Sequence, residues 1–126
     1  DATVVAMNIS SEELPSHLKN GLKSFYVIYG DALLLSIEAA DSIRNAARAA
    51  GYTEREVLIV EQYFKWDELR NCAQSLSLFA ERKVVDLRIP SGKTGAEGGK
   101  ALQAYCANLS EDILTLISLP KLDWTV

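Results

Sequence analysis

Few residues in this chain are placed to do chemistry. A strand ending in Gly30-Asp31 and leading into a helical pattern stands where a phosphate-binding loop belongs. That loop requires G-x-x-x-x-G-K-[ST], because backbone amides, a lysine and a hydroxyl jointly hold phosphates and magnesium. Counted from Gly30, the second Gly, the Lys and the hydroxyl residue are replaced by Leu35, Ser36 and Ile37. Gly92-Lys93-Thr94 repeats the tail of the motif, but its first Gly would fall at Leu87, inside a strand, so the match is accidental. The stretch from Gly92 to Gly99 also fails G-x-G-x-x-G, since Thr94 stands at the second Gly. His17, the sole histidine, lies on a short helix expected to be exposed, without a visible Ser, Cys or carboxylate partner for general-base work. G-x-S-x-G never occurs. Asp86 falls in mid-strand, where it is expected to face a neighbouring side chain and not a metal. Cys72 and Cys106 form no CxxC pair and are expected to pack as small hydrophobes on apolar helix faces. No catalytic, metal-binding or cofactor-binding residues are assigned.

The elements that would position any site follow from periodicity. Ser10-Ser11-Glu12-Glu13 fits a capping box, Ser10 as N-cap, opening a short helix with Leu14, Leu18 and Leu22 at four-residue spacing. Pro15 is tolerable near its start. The apolar, aromatic run Phe25-Tyr26-Val27-Ile28-Tyr29 predicts a strand buried on both faces. A helix from an N-cap at Asp31 to Ala50 places Leu35, Ala39, Ile43, Ala46 and Ala50 on one side and Glu38, Asp41, Asn45 and Arg48 on the other, with Gly51 as its stop. Residues 57–60 give a second strand. A helix beginning near Trp66-Asp67 buries Leu69, Cys72, Ala73 and Leu76. Residues 84–89 give a third strand, 90–99 a Gly-rich loop, 101–109 a helix burying Leu102, Tyr105, Cys106 and Leu109, and 113–118 a fourth strand. Alternating strands and helices imply a parallel sheet covered on both sides.

Composition bounds the class. The 126 residues suit one domain, and 48% hydrophobic with 24% charged residues is the balance of a soluble globular protein. With 17 acidic against 13 basic residues and a formal charge of −4, the chain lacks the cationic field that phosphate backbones require. No apolar run approaches the roughly 20 residues of a membrane-spanning helix, and residues 1–10 lack a basic signal-peptide start. A cytoplasmic protein is expected.

Leu78 and Phe79 are harder to place. On a helix at 100° per residue, the stripe of Leu69, Cys72, Ala73 and Leu76 leaves Leu78 on the opposite side, and Glu81-Arg82-Lys83 then follows as a charged stretch. Either one large apolar side chain is offered to a partner, or Phe79 folds back over the helix end and Leu78 is an ordinary exposed leucine.

Gln74-Ser75-Leu76-Ser77-Leu78-Phe79 resembles the clamp-binding motif of the delta subunit of bacterial DNA polymerase III, a leading Gln with a terminal Ser-Leu-Phe. The resemblance runs from about Leu14 to Asp123 and includes Leu22-Lys23-Ser24-Phe25-Tyr26, Tyr29-Gly30-Asp31 and Leu87-Arg88-Ile89-Pro90. Ala32 departs from the acidic or Pro-containing stretch common after Gly-Asp in that family.

The resemblance implies an AAA+-like α/β domain with a parallel sheet of about four strands and no functional P-loop. It implies that Gln74, Leu78 and Phe79 contact the sliding clamp (beta subunit), with Leu76 and Ser77 as spacing residues and Leu76 partly structural. It also implies assembly with the other clamp-loader subunits, gamma/tau and delta prime, and contact with DNA only through the assembled loader. Nucleotide hydrolysis would belong to those other subunits, the domain itself being a non-catalytic part of the bacterial holoenzyme. On this reading residues 1–126 are the single N-terminal domain of a longer chain. Residues 1–9 would be a leader, partly vector-derived or an extended native start, and residues 121–126 a truncated end leaving one sheet edge uncovered. The competing expectation is a Rossmann-like nucleotide- or metabolite-binding enzyme domain, which shares the alternating pattern but needs a phosphate site.

Overall fold

The computed structural model describes residues 3–4, 9–10, 14–19, 22, 25–29, 33–61, 63–74, 82–91, 95–107 and 112–119. Its centre is the continuous apolar run Phe25–Tyr29 (β3), which pairs in parallel with Ile113–Leu119 (β6). β6 pairs in turn with Arg82–Arg88 (β5), and β5 with Tyr52–Ile59 (β4), again in parallel. Two short strands, Thr3–Val4 (β1) and Ile9–Ser10 (β2), extend the sheet antiparallel beyond β3, giving the order β2-β1-β3-β6-β5-β4. Since β3 neighbours β6 and not the next strand in sequence, the chain crosses to the far edge and returns inward through β5 to β6.

Side chains alternate across each strand, so the sheet carries one core on each face. On one face Tyr26, Ile28, Val84, Leu114 and Leu116 meet Ala39, Ala40, Ile43 and Ala47 of the helix Leu33–Ala49 (α2) and Leu14 of the short helix Leu14–Lys19 (α1). On the other, Val27, Val85, Leu87, Ile113 and Ile117 meet Leu69 and Cys72 of the helix Asp67–Gln74 (α3) and Leu102 of Gly95–Ala107 (α4). The result is the covered parallel sheet that the alternating pattern predicts.

Several local expectations are corrected. Ser10 is not a helix cap: it belongs to β2 and pairs with Thr3, so strand pairing overrides the short-range capping pattern, and α1 begins only at Leu14. Thr3, Val4 and Ile9, within residues 1–9, lie in strands. Leu22 lies beyond the end of α1 but still packs against the first core. The stripe of α2 is rotated, for Ala40 and Ala47 are buried while Ala46 is half-buried and Ala50 exposed. Glu38, Asp41, Asn45 and Arg48 do face solvent, and Gly51, at a φ of 98°, takes the left-handed turn that ends the helix. β4 starts five residues earlier than residues 57–60 suggest, at Tyr52. The Gly-rich stretch is partly helical: α4 starts at Gly95, and Gly98 is buried in its first turns. Cys72 is buried as expected, but Cys106 is exposed and not on the packed face.

Candidate partner-binding site

The segment 74–79 begins at the last residue of α3, and the sequence explains how that helix is held. Asp67 and Glu68 occupy its first turn, where acidic groups complement the helix dipole. Phe64 and Trp66 just upstream stack edge to face, centroids 5.1 Å apart, with Trp66 buried and Phe64 packed against the same core. Leu69 and Cys72 then enter that core. Gln74 is the last residue of α3; Leu76, Ser77, Leu78 and Phe79 lie outside the described residues.

A buried charge stands at the far end of this segment. Lys83, on β5, is 1% exposed, and its Nζ donates to the Cys72 carbonyl oxygen at 2.8 Å and to Glu56 Oε1 of β4 at 3.1 Å. The Lys83 amide also donates to the Asp112 carbonyl at 2.9 Å. Hydrogen bonding from Cys72 and then from Lys83 holds the Glu56 carboxyl below its ordinary pKa. Burial works to lower the Lys83 pKa, but the Glu56 hydrogen bond and neighbouring negative charge outweigh it, and the ammonium is held above its usual range. Burial, reinforced by Glu56, pushes the Cys72 thiol up to about 11, so it is a protonated packing group and not a nucleophile at neutral pH.

The opposite face of β5 carries a second charge. Asp86 is fully buried, and its Oδ2 accepts from Arg44 of α2 at 3.0 Å and from Arg55 and Arg88 at 3.3 Å each. Arg44 is also paired with Asp41. Asp86 thus faces neighbouring side chains, as its mid-strand position led us to expect. Among the described residues no cluster of three or more His, Cys, Asp or Glu could hold a metal ion, and no helix is long and apolar enough to cross a membrane. His17 is half-buried, contrary to expectation, and shares a 2.8 Å hydrogen bond with the buried Tyr26 hydroxyl. On the α4 side the Tyr105 hydroxyl bonds Thr115, and burial pushes its pKa up to about 12.

Sequence reasoning missed Glu56, Lys83 and the three arginines. The available signal was Lys83 and Asp86 beside Val84, Val85 and Leu87 in β5, since a charge set next to such an apolar stretch requires a partner once buried.

Comparison with known proteins converges on one family. The family described as DNA polymerase III, delta subunit, matches residues 26–125, a span that includes 74–79. The DNA polymerase III subunit delta of Haemophilus influenzae is 32% identical over 114 residues, covering 90% of this chain and 33% of that protein. The same subunit of Escherichia coli is 29% identical over 111 residues, covering 88% and 32%. The chain thus spans about a third of the length of these curated relatives. Among solved structures, the Bacillus subtilis DNA clamp loader delta protein superposes with a TM-score of 0.69 at 19% identity, over 92% of this chain and 38% of that one. At that identity the likeness speaks for the fold alone, and it bears out the α/β architecture built on a parallel sheet.

Proposed function

The chain belongs to the DNA polymerase III delta subunit family, and from that membership we propose that it is the part of a bacterial clamp loader that grips the sliding clamp. The observation that carries this reading is Gln74-Ser75-Leu76-Ser77-Leu78-Phe79 at the end of α3, within the span that matches the family. Leu78 and Phe79 enter an apolar pocket on the clamp, Gln74 orients them, and Leu76 and Ser77 set the spacing. Burying the two apolar side chains contributes about 1.5–3 kcal/mol each, the scale of interface hot spots. Binding favours an open clamp only to the extent that the loader binds the open ring more tightly than the closed one.

The domain transmits energy and does not generate it: Leu35, Ser36 and Ile37 stand where phosphate-binding residues would be needed. ATP is handled by other subunits of the same cytoplasmic assembly, gamma/tau and delta prime are this chain's partners in it, and DNA is met only through the assembled loader. Equilibrium binding to a bacterial sliding clamp tests the reading. The double variant Leu78→Ala/Phe79→Ala is expected to lose at least tenfold in affinity, about 1.4 kcal/mol. Unchanged affinity would refute it.

A further inference from the structure

β4 closes one end of the sheet, and among the described residues no strand pairs with its outer side. The Val60 amide donates to the Arg88 carbonyl at 2.8 Å, so the backbones of Glu56, Leu58 and Val60 turn inward to β5. Those of Arg55, Val57 and Ile59 turn outward, because alternate residues of a strand share one direction. Such an edge is ordinarily guarded by charges, Pro or a bulge. Here the irregularity in register lies back at Tyr52 and Glu54, and the run of charges ends at Glu56. Val57-Leu58-Ile59-Val60 carries no guard, and Val57 and Ile59 are 38% and 45% exposed.

This segment is its own complement. Two copies related by a two-fold axis normal to the sheet pair antiparallel and keep their faces, and the residue on the axis decides which residues lie opposite. An axis at Arg55 opposes two guanidiniums, and one at Glu56 opposes two carboxylates. An axis at Val57 sets Arg55 against Ile59, and one at Ile59 sets Val57 against Glu61. With the axis at Leu58, Val57 meets Ile59 of the second copy and Arg55 meets its Glu61, so apolar faces apolar and opposite charges face each other. Val57 and Ile59 both turn outward, so this pair also exchanges backbone hydrogen bonds. On the other face Leu58 meets its own copy, and Glu56, across from Val60, keeps Lys83 as its partner.

Arg55 has charge to spare for this contact. The guanidiniums of Arg44, Arg55 and Arg88 converge on Asp86, and Asp41 pairs with Arg44, which leaves one positive charge uncompensated on that face. Glu61, exposed just beyond β4, supplies the opposite sign across the axis.

We propose that β4 is a self-association edge, through which two copies of this chain pair antiparallel about Leu58 into one continuous sheet. The pairing uses β4 and not residues 74–79, and it is independent of the clamp-binding reading. A single strand pair falls below the roughly 1,200 Å² of stable interfaces, so the dimer is weak and reversible, with a Kd on the order of 10–100 μM.

Sedimentation equilibrium of the full 126-residue chain from about 5 to 500 μM brackets that constant, and the mass is expected to rise from monomer towards dimer. Val57→Pro removes an outward amide and leaves the inward bonds to β5, so it is expected to weaken association at least about tenfold. Glu61→Arg opposes two arginines on each side of the axis and is expected to weaken it about fivefold. Urea melts confirm that the variants are folded. Should Val57→Pro fail to melt cooperatively, Ile59→Lys, at an exposed side chain, takes its place with the same expected loss. A chain that stays monomeric throughout the range overturns the proposal. So does association that survives the folded edge variant, which places the contact elsewhere, or that is unchanged in Glu61→Arg, which places it in another register.

Discussion

Replacing Asp86 by Asn keeps the side-chain volume and removes one buried negative charge, so no cavity complicates the result. In the folded protein Oδ2 of this carboxylate accepts from three guanidiniums, at 3.0, 3.3 and 3.3 Å. Removing one partner of a buried ion pair costs about 3–5 kcal/mol, because the remaining charge is left uncompensated. Two features place this site at the low end. Arg55 and Arg88 are each 42% exposed and can be rehydrated, and Arg44, at 15%, retains Asp41. The other carboxylate oxygen, Oδ1, has no hydrogen-bond partner among the described residues, so the native site already carries part of a desolvation cost. A loss of about 3 kcal/mol is expected, against a total stability of roughly 5–15 kcal/mol for a domain. Urea unfolding followed by tryptophan fluorescence reads it directly. With an m-value of about 1.5 kcal/mol per molar, the midpoint falls by about 2 M while m is unchanged. Arg88→Gln, which removes one half-exposed partner, is expected to cost less than about 1 kcal/mol. A loss under about 1 kcal/mol for Asp86→Asn would refute the reasoning, since the three arginines would then need no common counter-charge.

Two further outcomes follow from groups already described. Stability is expected to fall as pH rises from about 9 towards 11, because the unfolded chain ionises Cys72 at its ordinary value of 9.0 while the folded chain keeps that proton to about 11. Cys106, raised by burial from the same ordinary value, and Tyr105, between 10.0 and about 12, add the same sign, and Lys83 contributes stability that is complete below 10.5 and lost above it; thermal melts across this range in Cys72→Ala should show a shallower early decline than wild type. Tyr63 has a φ of 70° and its side chain is largely exposed, so Tyr63→Gly should raise stability by about 0.5–1 kcal/mol, read as a higher urea midpoint.

The parts of the fold most legible in the sequence were those written in apolar-rich runs, uninterrupted in Phe25–Tyr29 and broken only by single polar residues in residues 84–89 and 113–119. Phe25–Tyr29 was readable to the residue, and the strands around Val84 and Ile113 to within two, because burial on both faces requires such runs. The first half of β4 was not, since Thr53-Glu54-Arg55-Glu56 has the composition of a solvated turn. It forms a strand because it lies at the sheet edge, where one side of the backbone and much of each face remain in water. The beginning of α4 was hidden by Gly95, Gly98 and Gly99, each about 1 kcal/mol worse than Ala in a helix. Packing of the helix against the sheet overrides that preference. The candidate site was legible as a motif, Gln74 to Phe79, but the charge that joins its flanks was not. Cys72 and Lys83 are eleven residues apart, and only the folding of α3 onto β5 brings them together.

The charges of β4 also explain one another once the sheet is seen from its edge. Arg55 and Glu56 are adjacent in sequence, so their side chains leave opposite faces of the strand. Arg55 reaches Asp86 on the α2 face, and Glu56 reaches Lys83 on the α3 face. The inner strand β5 thus buries one charge of each sign on its two faces, and the edge strand supplies the opposite sign to each. This pairing also sets register: a one-residue slip of β4 would exchange its faces, presenting Glu56 to Asp86 and Arg55 to Lys83. Both contacts would become repulsive, at a cost no hydrophobic alternation in so polar a strand could impose. The edge strand that looked least like a strand is therefore specified by charge, and that register sets Glu56 beside the ammonium that caps α3.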